Sequence, residues 1–225
     1  MKSMIYSLLL VIGFCLFGFA QESVENYSAE QQYLFDVFKN RRSIRGYKSD
    51  MIPNEHITKI LDIARTAPSA GNQQPWKFLV IKDRAKLDLL NQKITDAYIG
   101  YFRENQGLKD KDVPAKRDEI LENNLKYLGA PVLIIVLVDK QCQYPDYLKW
   151  DGPLAAGYLL IAAKSLGYGT VFVTDSIPFE VLRNVLAIPE RYDIVCSTPL
   201  GIPLEYPAEK EKKTLDEFIV YESFE

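Results

Sequence analysis

The sequence predicts a single α+β domain. Three observations carry that expectation. Segments with apolar residues at helical spacing alternate with short, uninterrupted apolar runs of strand length. Hydrophobic residues make up 48% of the 225 and charged residues 25%, enough to build a full core. No repeat, low-complexity stretch or linker divides residues 21–225.

Taken in order, residues 21–30 are a polar lead-in. Residues 31–40 then place Tyr33, Leu34, Val37 and Phe38 on one helical face. Residues 53–67 read as a second helix, with Asn54 near its start and Ile57, Ile60, Leu61 and Ala64 on one side. Residues 77–82 predict a strand, and 86–91 a helix. Residues 98–128 mix Tyr98, Tyr101, Phe102 and Tyr127 with a charged run over 109–122 that reads as a solvated helix face. Residues 132–138 are continuously apolar and predict a strand covered on both faces. Residues 153–166, apolar all round, predict a central helix. Extended chain at 170–174, a short helix at 179–186 and a strand at 193–200 follow. The tail closes on a strand-like 218–221.

Residues 1–20 differ from the rest. Lys2 precedes an apolar run of about 16 residues from Met4 to Phe19, and Gly18 and Ala20 are small residues ahead of a cut before Gln21. The run is short of the ~20 residues that a membrane span needs. The expectation is therefore a signal peptide or signal-like leader, and an exported protein, periplasmic if bacterial. It would be anchored in a membrane if the leader were retained.

Composition excludes several classes. Lys and Arg number 27 against 30 Asp and Glu, without the basic excess of a nucleic-acid binder. One histidine, His56, and three cysteines leave almost nothing for a zinc site. His56 reads as solvated or capping, since no triad pattern accompanies it. Cys196 sits in an apolar run and reads as a small buried hydrophobe. Whether it pairs with Cys142 is left open by sequence.

Two motifs carry chemistry. Arg41, Arg42 and Arg45 flank the Ser43 hydroxyl, a donor set that matches phosphate oxygens; the same cations also suit the negative end of a helix. Residues 67–76 combine two prolines, a glycine and three side-chain amides. Such a loop suits a ligand edge that alternates C=O and N–H, as a flavin pyrimidine does, or serves as a rigid connection. Gly167-Tyr168-Gly169 lacks a third glycine and follows a helix, so it is not a dinucleotide fingerprint.

In order, Arg-Arg-Ser-Ile-Arg at 41–45, Ala-Pro-Ser-x-x-Asn-x-Gln-Pro-Trp at 67–76, Leu-Gly-Tyr-Gly-Thr at 166–170 and Leu-Gly-Ile-Pro at 200–203 resemble the nitroreductase family of FMN-dependent oxidoreductases. The resemblance implies a mostly antiparallel central sheet flanked by helices, in a homodimer that exchanges its C-terminal strand. It implies that Arg41, Arg42, Ser43 and Arg45 hold the FMN phosphate and ribityl end, with Lys212 and Lys213 closing on the phosphate. Pro68, Ser69 and Asn72 would reach the flavin from the partner subunit. Phe172, Val173, Thr174 and Asp175 would approach flavin N5, where Thr174 is a candidate contact and the Asp175 side chain is expected to point away. The implied activity is ping-pong reduction of nitroaromatics, quinones or related small molecules with NADH or NADPH, with no catalytic side chain and no metal. A reductive dehalogenase of iodotyrosine type, with a lid in 98–128, and a non-catalytic flavin-binding protein are the alternatives.

Overall fold

The computed structural model describes residues 27–224. The expected leader, residues 1–20, lies outside them. The chain divides into two compact units, Met1–Asp36 and Val37–Glu225. In the first, Tyr27 packs edge-on against Phe35 with ring centroids 4.9 Å apart, and the Ser28 hydroxyl accepts from the Gln31 amide.

The second unit is built on one four-stranded sheet in the order β1-β2-β4-β3, every pair antiparallel. Its strands are β1 (Trp76–Ile81), β2 (Val132–Asp139), β3 (Gly169–Thr170) and β4 (Tyr192–Gly201). The helices are α1 (Ala29–Lys39), α2 (Asn54–Ala64), α3 (Arg84–Gln106), α4 (Val113–Leu128), α5 (Leu148–Ser165) and α6 (Phe179–Leu186).

Strand β2 shows why an unbroken apolar run was needed. Its side chains alternate between faces. Val132, Ile134 and Val136 meet Ile57, Ile60 and Ala64 of α2 and Ala156, Leu159 and Ala163 of α5. Leu133, Ile135 and Leu137 meet Leu87, Leu90 and Ile94 of α3 and Leu182 of α6. Both faces are covered, and residues 132–138 are all buried. The unit is an antiparallel sheet flanked by helices, the α+β arrangement that was expected.

Several elements differ from the expectation. The helix expected at 86–91 is α3, 23 residues long, capped by the Asp83 side chain on the Ala85 amide and ended at Gly107. The mixed stretch 98–128 is the end of α3 together with α4. The two helices share buried amides: Asn124 Nδ2 donates to Asn91 Oδ1 at 2.8 Å, and Asn91 donates to Leu121 O. Helix α5 begins at Leu148, before Pro153, which lies inside it and forgoes one helical hydrogen bond. The extended stretch at 170–174 contributes only Thr170 to β3, with a single bridge from Val173 to Ser197. The tail at 218–221 is not a strand in the chain. It follows a 3-10 turn, Leu215–Glu217, and its side chains are exposed. Cys142 and Cys196 are free thiols. His56, expected to be solvated or capping, is half-buried with Nδ1 2.7 Å from the Tyr168 hydroxyl.

Candidate functional site

The arginine-rich segment follows α1 and is clamped on both sides. The Ile44 amide donates to Thr170 O (3.0 Å) and the Lys48 amide to Ile202 O (2.9 Å), while Gly46 O accepts from the Leu204 amide (3.0 Å). Ile44 and Tyr47 point into the core, where the Tyr47 hydroxyl donates to Ile44 O. Burial pushes the Tyr47 hydroxyl well above its ordinary 10.0, although nearby Arg45 works against it. Gly169 permits the close approach of the 43–45 segment: a Cβ there would stand 2.7 Å from the Ile44 side chain. This gives the Leu-Gly-Tyr-Gly-Thr turn a structural purpose unrelated to dinucleotide binding.

Anchoring Ile44 and Tyr47 inward leaves the polar side chains around them to line a cavity. It has a volume of about 570 Å³ and is bounded by Phe38, Lys39, Arg41, Arg42, Ser43 and Arg45 on one wall. Pro207, Ala208, Glu209, Lys210 and Lys212 form the other. Six cations face one carboxylate. Arg42 is partly committed within the chain: it donates to Lys39 O (2.7 Å) and Arg41 O (3.1 Å) and pairs with Glu209 at 3.3 Å. The set matches a phosphate group, with guanidinium forks, ammonium groups and one hydroxyl donor.

The structure brings Arg41, Arg42, Ser43, Arg45 and Lys212 together at this cavity. Lys213 is not among its lining residues; it pairs with Glu217 at 3.3 Å, as expected of a residue one position out of step on an extended segment. Lys210 and Glu209, which the motifs did not flag, do line it. A basic pair is a visible sequence signal, but nothing in the sequence marks Glu209 as facing three arginines.

The amide-rich loop forms a separate feature. Ala67 and Trp76 are buried against Ala155, so both ends of the loop are fixed. Between them Pro68 is exposed, and the Ser69 hydroxyl accepts from the Gln74 amide (3.0 Å). Asn72 and Gln74 take positive φ of 55° and 48°, and Asn72 Oδ1 accepts from Gln74 Nε2 (3.3 Å). Gln73 turns inward: its amide meets Asp151 of α5 and the Tyr144 backbone. Asp151 was missed from sequence, where it reads as one acid at the start of a greasy helix.

The third predicted group follows β3. Val171 and Val173 are buried, whereas Phe172, Thr174 and Asp175 are exposed. Thr170 bridges Ser43, so this segment begins beside the arginine-rich segment. Asp175 Oδ1 accepts from Ser176 Oγ at 3.4 Å.

Residues 38–202 match the model of the nitroreductase family. The chain is 33% identical over 183 residues to a protein of Methanothermobacter thermautotrophicus, provisionally named NADH dehydrogenase/NAD(P)H nitroreductase, covering 79% of this chain and 81% of that one. It is 31% identical over 171 residues to an iodotyrosine deiodinase of Thermotoga neapolitana, covering 76% and 88%. Among solved structures it resembles an FMN-dependent nitroreductase of Clostridium difficile R20291, with a TM-score of 0.60, 27% identity, and coverage of 84% of this chain and 99% of the other. The matched residues run from the cation-lined cavity through all four strands, and the chain belongs to the nitroreductase family.

Proposed function

We propose that this protein is an FMN-dependent oxidoreductase that uses NADH or NADPH to reduce small organic acceptors such as nitroaromatics or quinones. The observation that carries the reading is the cavity in which Arg41, Arg42, Arg45, Lys39, Lys210 and Lys212 face one carboxylate. Such an excess of cations suits a dianionic phosphate monoester like that of FMN. The named relatives supply the redox part of the reading.

When bound, FMN would supply the transfer of electrons from nicotinamide to acceptor. The chain's own residues bind and orient. Arg41, Arg45 and Lys212 would hold the phosphate, and Ser43 would add a neutral donor. Ser69 and Asn72 offer a hydroxyl and an amide to a pyrimidine edge. Thr174 offers an exposed hydroxyl donor next to the buried Val173.

The reading includes a homodimer. The basic cavity's lining contains no residue of the 68–74 loop, so a site using both would draw them from two chains. Helix α5 also exposes Trp150, Leu154 and Tyr158, and the tail exposes Leu215, Phe218 and Tyr221. An exchanged tail would give these apolar side chains cover and extend the open edge of the sheet. The leader at 1–20 would export the protein; the N-terminal residue of the processed chain tests that part.

A second reading, reductive dehalogenation of an iodotyrosine, is favoured by the 31% identity to a deiodinase. One experiment addresses both. The flavin-loaded protein is reduced anaerobically with NADH or NADPH, then offered a nitroaromatic, a quinone or 3-iodotyrosine. Bleaching by a nicotinamide and reoxidation by the first two supports the main reading. Reoxidation by 3-iodotyrosine alone, with iodide release, supports the second. No bleaching by either nicotinamide contradicts the main reading.

A further inference from the structure

We propose that Asp151 is the positioning residue of the amide-rich loop, holding residues 69–74 in place through Gln73 and the Ala70 amide. Asp151 is 3% exposed, in the first turn of α5. Its Oδ1 accepts from the Ala70 N–H at 3.1 Å and its Oδ2 from Gln73 Nε2 at 2.7 Å. No cation pairs with it among the described residues. A carboxylate this buried is costly unless its oxygens are hydrogen-bonded, and here both known partners belong to one loop.

Gln73 is the other half of the device. Its Nε2 also donates to Tyr144 O at 3.0 Å, and its Oε1 accepts from the Tyr144 amide at 2.8 Å. The side chain therefore cannot rotate without breaking three contacts. Beside it, Gly71 lies so close to the Tyr144 ring that a Cβ would stand 2.4 Å from Cε2. The loop is pinned at Ala70, Gly71 and Gln73, on either side of Asn72. That pinning holds Asn72 and Gln74 in the left-handed region, a conformation that costs free energy and persists only where the surroundings determine it. The charge matters as well as the shape. An ionised acceptor makes stronger bonds to N–H donors than an amide oxygen does. The N-terminal turn of α5 favours a negative group at that position. An asparagine in its place would still accept from Ala70 but would set its own NH2 against that of Gln73.

The inference rests on the reading of this loop as part of the flavin site. Its test has two independent arms. Amide hydrogen exchange across residues 69–74 reads the tether without flavin, and fluorescence titration of apoprotein with FMN reads its consequence. Asp151→Asn is expected to speed exchange in the loop at least tenfold and weaken FMN at least tenfold. Gln73→Glu alone sets two carboxylates against each other and is expected to do the same. The double variant Asp151→Asn/Gln73→Glu restores a donor–acceptor pair with its polarity reversed, because the amide introduced on α5 then donates to the carboxylate introduced on the loop. It is expected to recover part of both readouts, above either single variant but short of wild type, because a glutamate at 73 still accepts from the Tyr144 amide but no longer donates to Tyr144 O. A residue that merely filled space would show no such rescue. Should Asp151→Asn not fold, Gln73→Met releases the loop from the other side and is expected to give the same pair of changes. Unchanged loop exchange in the released variants overturns the proposal. So does faster exchange with wild-type FMN affinity, or a double variant no better than the worse single. If the wild type binds no FMN, the functional reading fails, and the exchange arm with its rescue alone decides the tether.

Discussion

Arg42 and Glu209 form an ion pair, 3.3 Å between charged atoms, in a cavity whose other charged groups are all cations. Half of the Glu209 side chain is exposed, so the pair itself is worth about 0–1 kcal/mol. Its larger consequence is competition: the carboxylate neutralises part of the field that a phosphate would meet. Glu209→Gln is expected to tighten FMN binding about two- to fivefold, an increment below about 1 kcal/mol. Fluorescence titration of apoprotein measures it, and weaker binding in the variant would show that Glu209 helps to build the site.

Arg41 and Arg45, which meet no carboxylate among the described residues, should matter most in that cavity. Each charge-assisted contact to phosphate is worth roughly 1.5–3 kcal/mol. Removing both in Arg41→Ala/Arg45→Ala is expected to weaken FMN at least ~100-fold, since about 1.4 kcal/mol is a factor of ten. The fold should survive, because buried Ile44 and Tyr47 hold the segment. Circular dichroism with equilibrium dialysis separates the two effects, and full flavin retention would place the phosphate elsewhere.

How far the sequence was legible follows from what each element packs against. Strand β2 was readable because both of its faces are covered, so all of its side chains had to be apolar. Helix α3 was readable only to Asn91. Beyond it, Thr95 and Asn124 satisfy each other in the interior, and buried polar residues imitate a solvated surface. Pro153 hid the true start of α5, since a proline argues for a helix boundary and here lies inside. The arginine wall was legible as a compact motif. Glu209 and Asp151 were not, because their roles depend on contacts across 167 and 78 residues of sequence, to Arg42 and Gln73.

The buried amides between α3 and α4 yield a stability prediction. Asn124 is 6% exposed and donates to Asn91 Oδ1 and Thr95 Oγ1. Asn124→Ala removes those donors and leaves buried acceptors unmet, at a cost of about 1–3 kcal/mol. Urea unfolding should show the loss with an unchanged slope. A variant as stable as wild type would mean that water replaces the amide.

Titration of two buried groups predicts alkaline lability. Burial pushes the Cys196 thiol up from 9.0 to about 12 and raises the Tyr47 hydroxyl above 10.0. Both pKa values are higher in the folded chain, so the folded state holds these protons more tightly. Their stabilising contribution is complete below about pH 9 and is lost as pH climbs from there toward about 12. Urea midpoints should therefore fall between about pH 8 and about pH 10.5. At about pH 8, iodoacetamide should modify Cys142 in the native protein and spare Cys196, because the thiolate is the reactive form. Peptide mapping that found Cys196 modified first would contradict its burial.

On the proposed function, the cation-lined cavity holds the phosphate of FMN. The most direct test of that assignment is the flavin content of protein purified without added cofactor, set beside that of the Arg41→Ala/Arg45→Ala variant. About one FMN per chain is expected for the wild type, released as intact FMN on denaturation, with a colourless variant that folds. A colourless wild type that takes up no added FMN, or a variant that retains its flavin in full, would contradict it.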